Sequence, residues 1–276
     1  MKKILYLIPV IASLAFADTG SRSPRIISIS PAATEILFGL GLDDNIIGDT
    51  TYCNYPPAAK TKEKVGSFSQ PNIEKIVSLK PDVIFATGLE QARVVDQLKK
   101  LKIPVYVSDP SNLNDLYLSI KEIGKRTGRE EEAEIMVSAM QSRIEDVRKK
   151  AESMHPLKKP KVFIEIWNSP LMTAGKGSFV DELITIAGGE NVAYDTLRPY
   201  GYFSAEQVIK RDPDCIIMGY MDRRKALDAV GGRLGWSGIN AVKNGRVYND
   251  INPDVILRPG PRLAEGLEEI FKRLYQ

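Results

Sequence analysis

Seven aromatic side chains stand in loops that follow candidate strands: Tyr52, Tyr55, Phe68, Trp167, Tyr200, Tyr202 and Phe203. A ring left bare in such a loop exposes a large apolar face to water. Each therefore either packs into its own domain or helps to line a groove for a large, flat, partly apolar ligand. For one ring alone, packing is the stronger expectation. For the set, more than half are expected to face one cleft, because the rings come from both halves of the chain and fall where α/β folds bind ligands. The chemistry such a set supports is recognition by stacking.

Two carboxylates recur at a fixed spacing. Glu74, Ile76, Val77, Pro81, Asp82, Val83 and Ile84 reappear as Glu206, Val208, Ile209, Pro213, Asp214, Cys215 and Ile216, each 132 positions on, as 206 is from 74 and 213 from 81. A Phe-Ser pair precedes each copy, Phe68-Ser69 and Phe203-Ser204. A repeat this long exceeds a solenoid unit and describes two similar α/β lobes, whose natural functional surface is the cleft between them. Each glutamate opens an amphipathic helix, where a carboxylate gains modestly from the helix dipole. Matched carboxylates on two lobes also form a pseudo-symmetric pair suited to a symmetric partner.

Patterns for catalysis are weak. Gly175-Lys176-Gly177-Ser178 echoes a phosphate loop, but position 170 is Pro and the residue after the lysine is Gly, so the P-loop pattern fails. There is no Gly-x-Ser-x-Gly elbow, and the single histidine, His155, stands beside Pro156 just past a long helix. A lone linker histidine makes neither a base nor a zinc or manganese site, so no catalytic residue, metal or cofactor is expected.

The elements that must position these residues alternate. Residues 25–30 are apolar and β-branched, and Ser30-Pro31 then opens a helix running to Gly39. Strands are expected at 46–48, 83–86 and 105–107, with helices near 72–79 and 91–101, the pattern of a parallel doubly wound sheet. From Asn112 the chain turns helical, pauses at Thr127-Gly128 and resumes. Residues 130–154 contain no Gly or Pro, and Ile135, Met136, Ala139, Met140, Ile144 and Val147 recur at helical spacing, which predicts one unbroken helix. The expected architecture is α/β: two similar lobes with mostly parallel sheets, 18–128 and 156–276, joined by one long α-helix within 129–155. Such a helix makes a stiff hinge with little opening.

The N-terminus carries Lys2 and Lys3, an apolar stretch over 4–16 too short to span a bilayer, and the small-x-small sequence Ala15-Phe16-Ala17. Residues 1–17 are expected to be a secretion signal cleaved after about Ala17, leaving a soluble periplasmic chain. That removes two of the 38 basic residues, leaving 36 against 35 acidic ones, with no field to attract nucleic acid or an anionic membrane. A monomer is expected. The two cysteines, Cys53 and Cys215, fall in different lobes; Cys215 lies in an apolar run and both are expected as unpaired thiols.

Several stretches together resemble a known family. These are Ser30-Pro31-Ala32-Ala33-Thr34-Glu35, Tyr52-Cys53-Asn54-Tyr55-Pro56, the Glu74 to Ile84 segment, and Pro170-Leu171-Met172-Thr173-Ala174-Gly175-Lys176. Gly188-Gly189-Glu190-Asn191 and Pro261-Arg262 complete the set. Their order and spacing are similar to the periplasmic binding proteins of ABC importers that use a single backbone helix, most of all its cobalamin-binding group. The resemblance implies a solute receptor, not an enzyme, that delivers cobalamin or a related corrinoid to an ABC importer. It carries ligand contacts onto Tyr52, Phe68, Tyr200 and the 254–258 segment, with Asp254 and Arg258 facing the amide and phosphate edges of a corrinoid. Ala86 and Ile166 stand where the resemblance has large aromatics, and Trp167 could compensate for the second. It also implies that Glu74 and Glu206 meet arginines of a two-fold-related permease dimer. Haem, with Tyr52 or Tyr55 as axial ligand, or a ferric siderophore is the alternative cargo on the same fold. An exported enzyme is the alternative of a different class.

Overall fold

The computed structural model describes residues 23–154, 158–220 and 230–275. The expected leader and His155 lie outside them. Among the described residues no helix is long and apolar enough to cross a membrane.

The first lobe is built on β1 (Ile26–Ser28), β2 (Ile46–Asp49), β3 (Val83–Ala86) and β4 (Val105–Val107), with α1 (Pro31–Gly39), α2 (Ile73–Ser78), α3 (Ala92–Lys100) and α4 (Leu113–Thr127) between and after them. Its sheet has the order β2-β1-β3-β4 and every pairing is parallel. Parallel strands need covered faces, and β1 is accordingly buried along its whole length. α1 starts where the sequence says it should: Ser30 caps it, its hydroxyl accepting from the Ala33 amide, and Pro31 follows at the first turn.

α5 (Glu130–Met154) then runs for 25 residues, about 37 Å at the α-helical rise, after Gly128 ends α4 in the left-handed conformation. The buried stripe on α5 is Ala133, Val137, Met140, Ile144, Val147 and Ala151. That alternation of four and three residues is a narrow seam. Ile135, grouped with it by sequence spacing, falls off the seam and is 63% exposed. The seam packs on α4 and on the C-terminal helix in one apolar cluster that reaches from Leu37 and Phe85 in the first lobe to Leu183 and Ile217 in the second.

The second lobe contains β5 (Lys161–Asn168), β6 (Leu171–Ala174), α6 (Phe179–Ile186), β7 (Glu190–Asn191), β8 (Tyr200–Tyr202), α7 (Ala205–Arg211), β9 (Cys215–Met218), α8 (Asn240–Lys243), β10 (Val247–Tyr248), α9 (Pro253–Leu257) and α10 (Leu263–Tyr275). Its six-stranded sheet has the order β10-β9-β5-β6-β8, with β7 also on β5. The β10-β9, β9-β5 and β7-β5 pairings are parallel, whereas β6 and β8 extend the sheet antiparallel. The second lobe thus repeats the parallel core of the first and adds an antiparallel edge. Cys53 and Cys215 are both buried free thiols, and burial pushes the Cys215 thiol up to about 12.

Candidate ligand-binding cleft

A cleft of about 330 Å³ lies between the lobes. Nearly all of its first-lobe wall comes from residues that follow the C-terminal ends of parallel strands: Ser30 after β1, Tyr52 after β2, Thr87 after β3 and Ser108 after β4. Gly219 follows β9 in the same way from the second lobe. This is the side on which parallel α/β sheets present loops to ligands. The opposite wall is α9 and the residue after it, contributing Pro253, Asp254, Leu257 and Arg258. The lining is mainly apolar, with hydroxyls from Ser30, Thr87 and Ser108.

Tyr52 is 47% exposed, a large aromatic face open to the cleft. Its loop is fixed from behind by Cys53, whose sulfur accepts from the Thr34 hydroxyl at 3.1 Å and lies 3.3 Å from that of Thr50. Phe68 is held by Gln91, a fully buried amide that donates to the Phe68 carbonyl at 2.8 Å and to Ile29 O at 2.7 Å. The same amide's oxygen accepts from the Thr87 backbone N–H at 3.0 Å, so one side chain ties three stretches of cleft wall together. Asp254 and Arg258 reach the cleft because Asn252 caps α9, its side chain accepting from the Asp254 amide, and Pro253 opens the helix.

Of the sequence-derived set, the structure brings Tyr52, Phe68, Asp254 and Arg258 together and leaves three elsewhere. Tyr55 turns away, its ring centre 3.9 Å from the guanidinium carbon of Arg262, and lines a separate groove with that arginine and Met136. Trp167, 52% exposed, stands beside the cleft: its indole N–H donates to Ser169 O and its ring makes an edge contact with Tyr220. Tyr200 lies on β8, the antiparallel edge, with β5 and β6 between it and β9; with Tyr202, Met172 and Leu197 it lines a separate surface groove of about 730 Å³. Tyr200 is 40% exposed there. Phe203 packs into the second lobe's core against Phe163. Two of the seven aromatics therefore line the cleft, not more than half. The expectation failed because the loop between β7 and β9 carries an extra antiparallel strand that takes Tyr200 and Tyr202 away from the parallel core.

Sequence reasoning named Asp254 and Arg258 but passed over the partners that join them to the first lobe across the cleft floor. Glu35 of α1 accepts from Arg258 Nη1 at 2.7 Å and from Arg262 Nε and Nη2 at 2.9 and 2.7 Å. Asn54 donates to Asp254 Oδ2 and accepts from Arg258 Nη1, both at 2.9 Å. Elsewhere Glu182 of α6 accepts from the Leu113 amide at the start of α4. Glu35, Asn54 and Arg262 stood in the stretches that carry the resemblance, but nothing in the spacing paired residues 223 positions apart, and Glu182 carried no signal.

Glu74 and Glu206 occupy equivalent places. Each is the second residue of a short helix, behind Asn72 and Ser204 whose side chains accept from the Lys75 and Gln207 amides, and each is exposed. The Ser204 hydroxyl donates to Glu206 and holds its carboxyl below the usual range.

The family model for periplasmic binding proteins matches residues 26–254. An uncharacterized ABC transporter substrate-binding lipoprotein of Bacillus subtilis is 37% identical over 91% of this chain and 80% of its own. A vitamin B12-binding protein of Pectobacterium atrosepticum is 31% identical over 91% of this chain and 88% of its own. Among solved structures, a periplasmic vitamin B12 binding protein of Vibrio cholerae superposes with a TM-score of 0.77 at 29% identity, over 91% of this chain and 96% of that one. A periplasmic heme binding protein of Pseudomonas aeruginosa does so with a TM-score of 0.78 at 25% identity, over 91% and 92%. The chain belongs to the periplasmic binding protein family, whose members are solute-binding proteins and not enzymes, and it is the substrate-binding protein of an ABC transporter.

Proposed function

We propose that the protein captures cobalamin or a related corrinoid in the cleft between its lobes and delivers it, outside the cytoplasm, to the permease of its ABC transporter. The observation that carries this reading is the make-up of the cleft: Tyr52 and Phe68 on one wall face Asp254 and Arg258 on the other, across a mainly apolar gap. Rings on one side suit the flat face of a corrin, and paired polar groups on the other suit its fringe of amides. The 31% identical relative described as vitamin B12-binding supports it. A volume of about 330 Å³ is at the small end for drug-sized ligands, so a corrin enters as the lobes part slightly at the mouth. Trp167, exposed near the end of β5 and in edge contact with Tyr220 next to the cleft residue Gly219, is the further ring this reading would recruit.

The test is loading in parallel. Purified protein is incubated with cyanocobalamin, haem and a ferric siderophore, desalted, and its visible spectrum recorded. One corrinoid per chain is the expected result; retained haem or siderophore with no corrinoid would reject the reading.

A further inference from the structure

The ion cluster on the cleft floor contains two guanidiniums and two carboxylates. Glu35, its side chain 2% exposed, takes Arg262 in a two-pronged contact and Arg258 end-on. Arg258 Nη2 pairs with Asp254 Oδ1 at 2.9 Å, and Asn54 ties Asp254 back to the first lobe. The cluster is therefore charge-neutral, and it is neutral only because the first lobe supplies Glu35. Among the described residues, Asp254 and Arg258 are the charged members of the cleft wall.

We propose that Glu35 is the positioning residue of this cleft and sets the charge of the cargo, so that the site takes neutral hydrogen-bonding groups such as amides and discriminates against carboxylates. The inference rests on the reading of the cleft as a corrinoid site and extends it to ligand charge. A buried carboxylate is tolerable only while its partners stay in place. A ligand carboxylate drawing on Arg258 would bring a third negative group to two guanidiniums and weaken the hold on Glu35. A neutral carbonyl makes no such demand. Arginine has five N–H donors, and the contacts to Glu35, Asn54 and Asp254 engage three of those on Arg258, which leaves two to offer. Among the described residues the other polar side chains of the wall, the hydroxyls of Ser30, Tyr52, Thr87 and Ser108, are neutral too.

A groove of about 570 Å³ on the cluster's other side is lined by Glu35 and Arg262 together with Met136 and Arg143 of α5. Glu35 and its arginines thus lie between the cleft and the backbone helix. Arg258 therefore meets a ligand with its charge already balanced.

The test compares cyanocobalamin with its monocarboxylate, in which one side-chain amide has been hydrolysed, by equilibrium binding to wild type, Glu35→Gln and Glu35→Asp. Wild type should prefer the amide by at least about tenfold, the scale of one uncompensated buried charge reduced by partial solvation. Glu35→Gln leaves the cluster with one excess positive charge, so its preference should collapse towards parity. Glu35→Asp keeps the charge and should keep the preference. Equal affinities in wild type, or an unchanged ratio in Glu35→Gln, would overturn the inference. If Glu35→Gln fails to fold, the wild-type ratio alone decides. If the protein binds haem and no corrinoid, the corrinoid reading falls separately, and haem against its dimethyl ester becomes the comparison: preference for the ester supports the charge rule, preference for the dianion overturns it.

Discussion

At the cleft wall, Tyr52 and Tyr200 make opposite predictions from the same side chain. Tyr52 presents a half-exposed ring to the cleft, so Tyr52→Ala should weaken corrinoid binding by about 1 to 3 kcal/mol, the worth of a good stacked contact at a binding site. Tyr200 lies on the edge strand in a separate groove, so Tyr200→Ala should change affinity by less than about 0.5 kcal/mol. Isothermal calorimetry on both variants checks the pair, and a larger loss at Tyr200 would relocate the site. A second residue-scale prediction concerns Asp49, at the end of β2. It is fully buried; Lys64 Nζ reaches its Oδ1 at 2.5 Å, while its Oδ2 has no hydrogen-bond partner. Burial outweighs the lysine and raises its pKa from 3.8 to about 6. The folded carboxyl therefore keeps a proton that the unfolded one releases, and its contribution to stability is full below about pH 4 and lost as pH rises through about 6. Measured by urea unfolding, the stability of wild type minus that of Asp49→Asn should fall by roughly 1 to 3 kcal/mol between pH 4 and 6.5 and stay flat above. A difference that grew with pH would contradict this.

Among the elements, α5 decides how far the lobes can move. Its seam from Ala133 to Ala151 is packed on both α4 and α10, so bending it would open an apolar core shared by the two lobes. Ligand binding should therefore rock the lobes by a few degrees, and the radius of gyration from small-angle scattering should be the same, within error, with and without cyanocobalamin. A clear fall on binding would show a clamshell hinge. The same helix illustrates what a sequence can show. Its ends were readable because no Gly or Pro interrupts 130–154 and Gly128 stops the helix before it. Strands such as 83–86 and 105–107 were readable from β-branched runs between turn signals, and Ser30-Pro31 named the start of α1. Tyr52 could be placed because it follows a parallel strand, and Phe68 because it lies in the same long loop before β3. Tyr200 could not, because whether a three-residue stretch pairs parallel or antiparallel depends on a partner strand, here Leu171–Ala174, that local spacing does not specify. Nor could the contacts of Glu35 with Arg258 and Arg262 be found, since they exist only once both lobes are folded and docked on α5.

At the scale of the whole molecule, the repeat sets two exposed glutamates on equivalent helices of two lobes, a disposition suited to a permease with two-fold symmetry. Reversing both, as Glu74→Lys with Glu206→Lys, should leave corrinoid affinity unchanged, since neither lines the cleft, and abolish transport with the cognate importer. Single reversals should give partial defects, and normal transport by the double variant would reduce the pair to helix-start residues. The claim on which all of this depends is that cargo lies between the lobes. Hydrogen–deuterium exchange of the protein with and without saturating cyanocobalamin tests it most directly. The account predicts slowed exchange in both walls at once, in residues 50–54 and 66–69 of the first lobe and 254–258 of the second, with the groove around 195–203 unchanged. Protection confined to one lobe, or centred on 195–203, would contradict it.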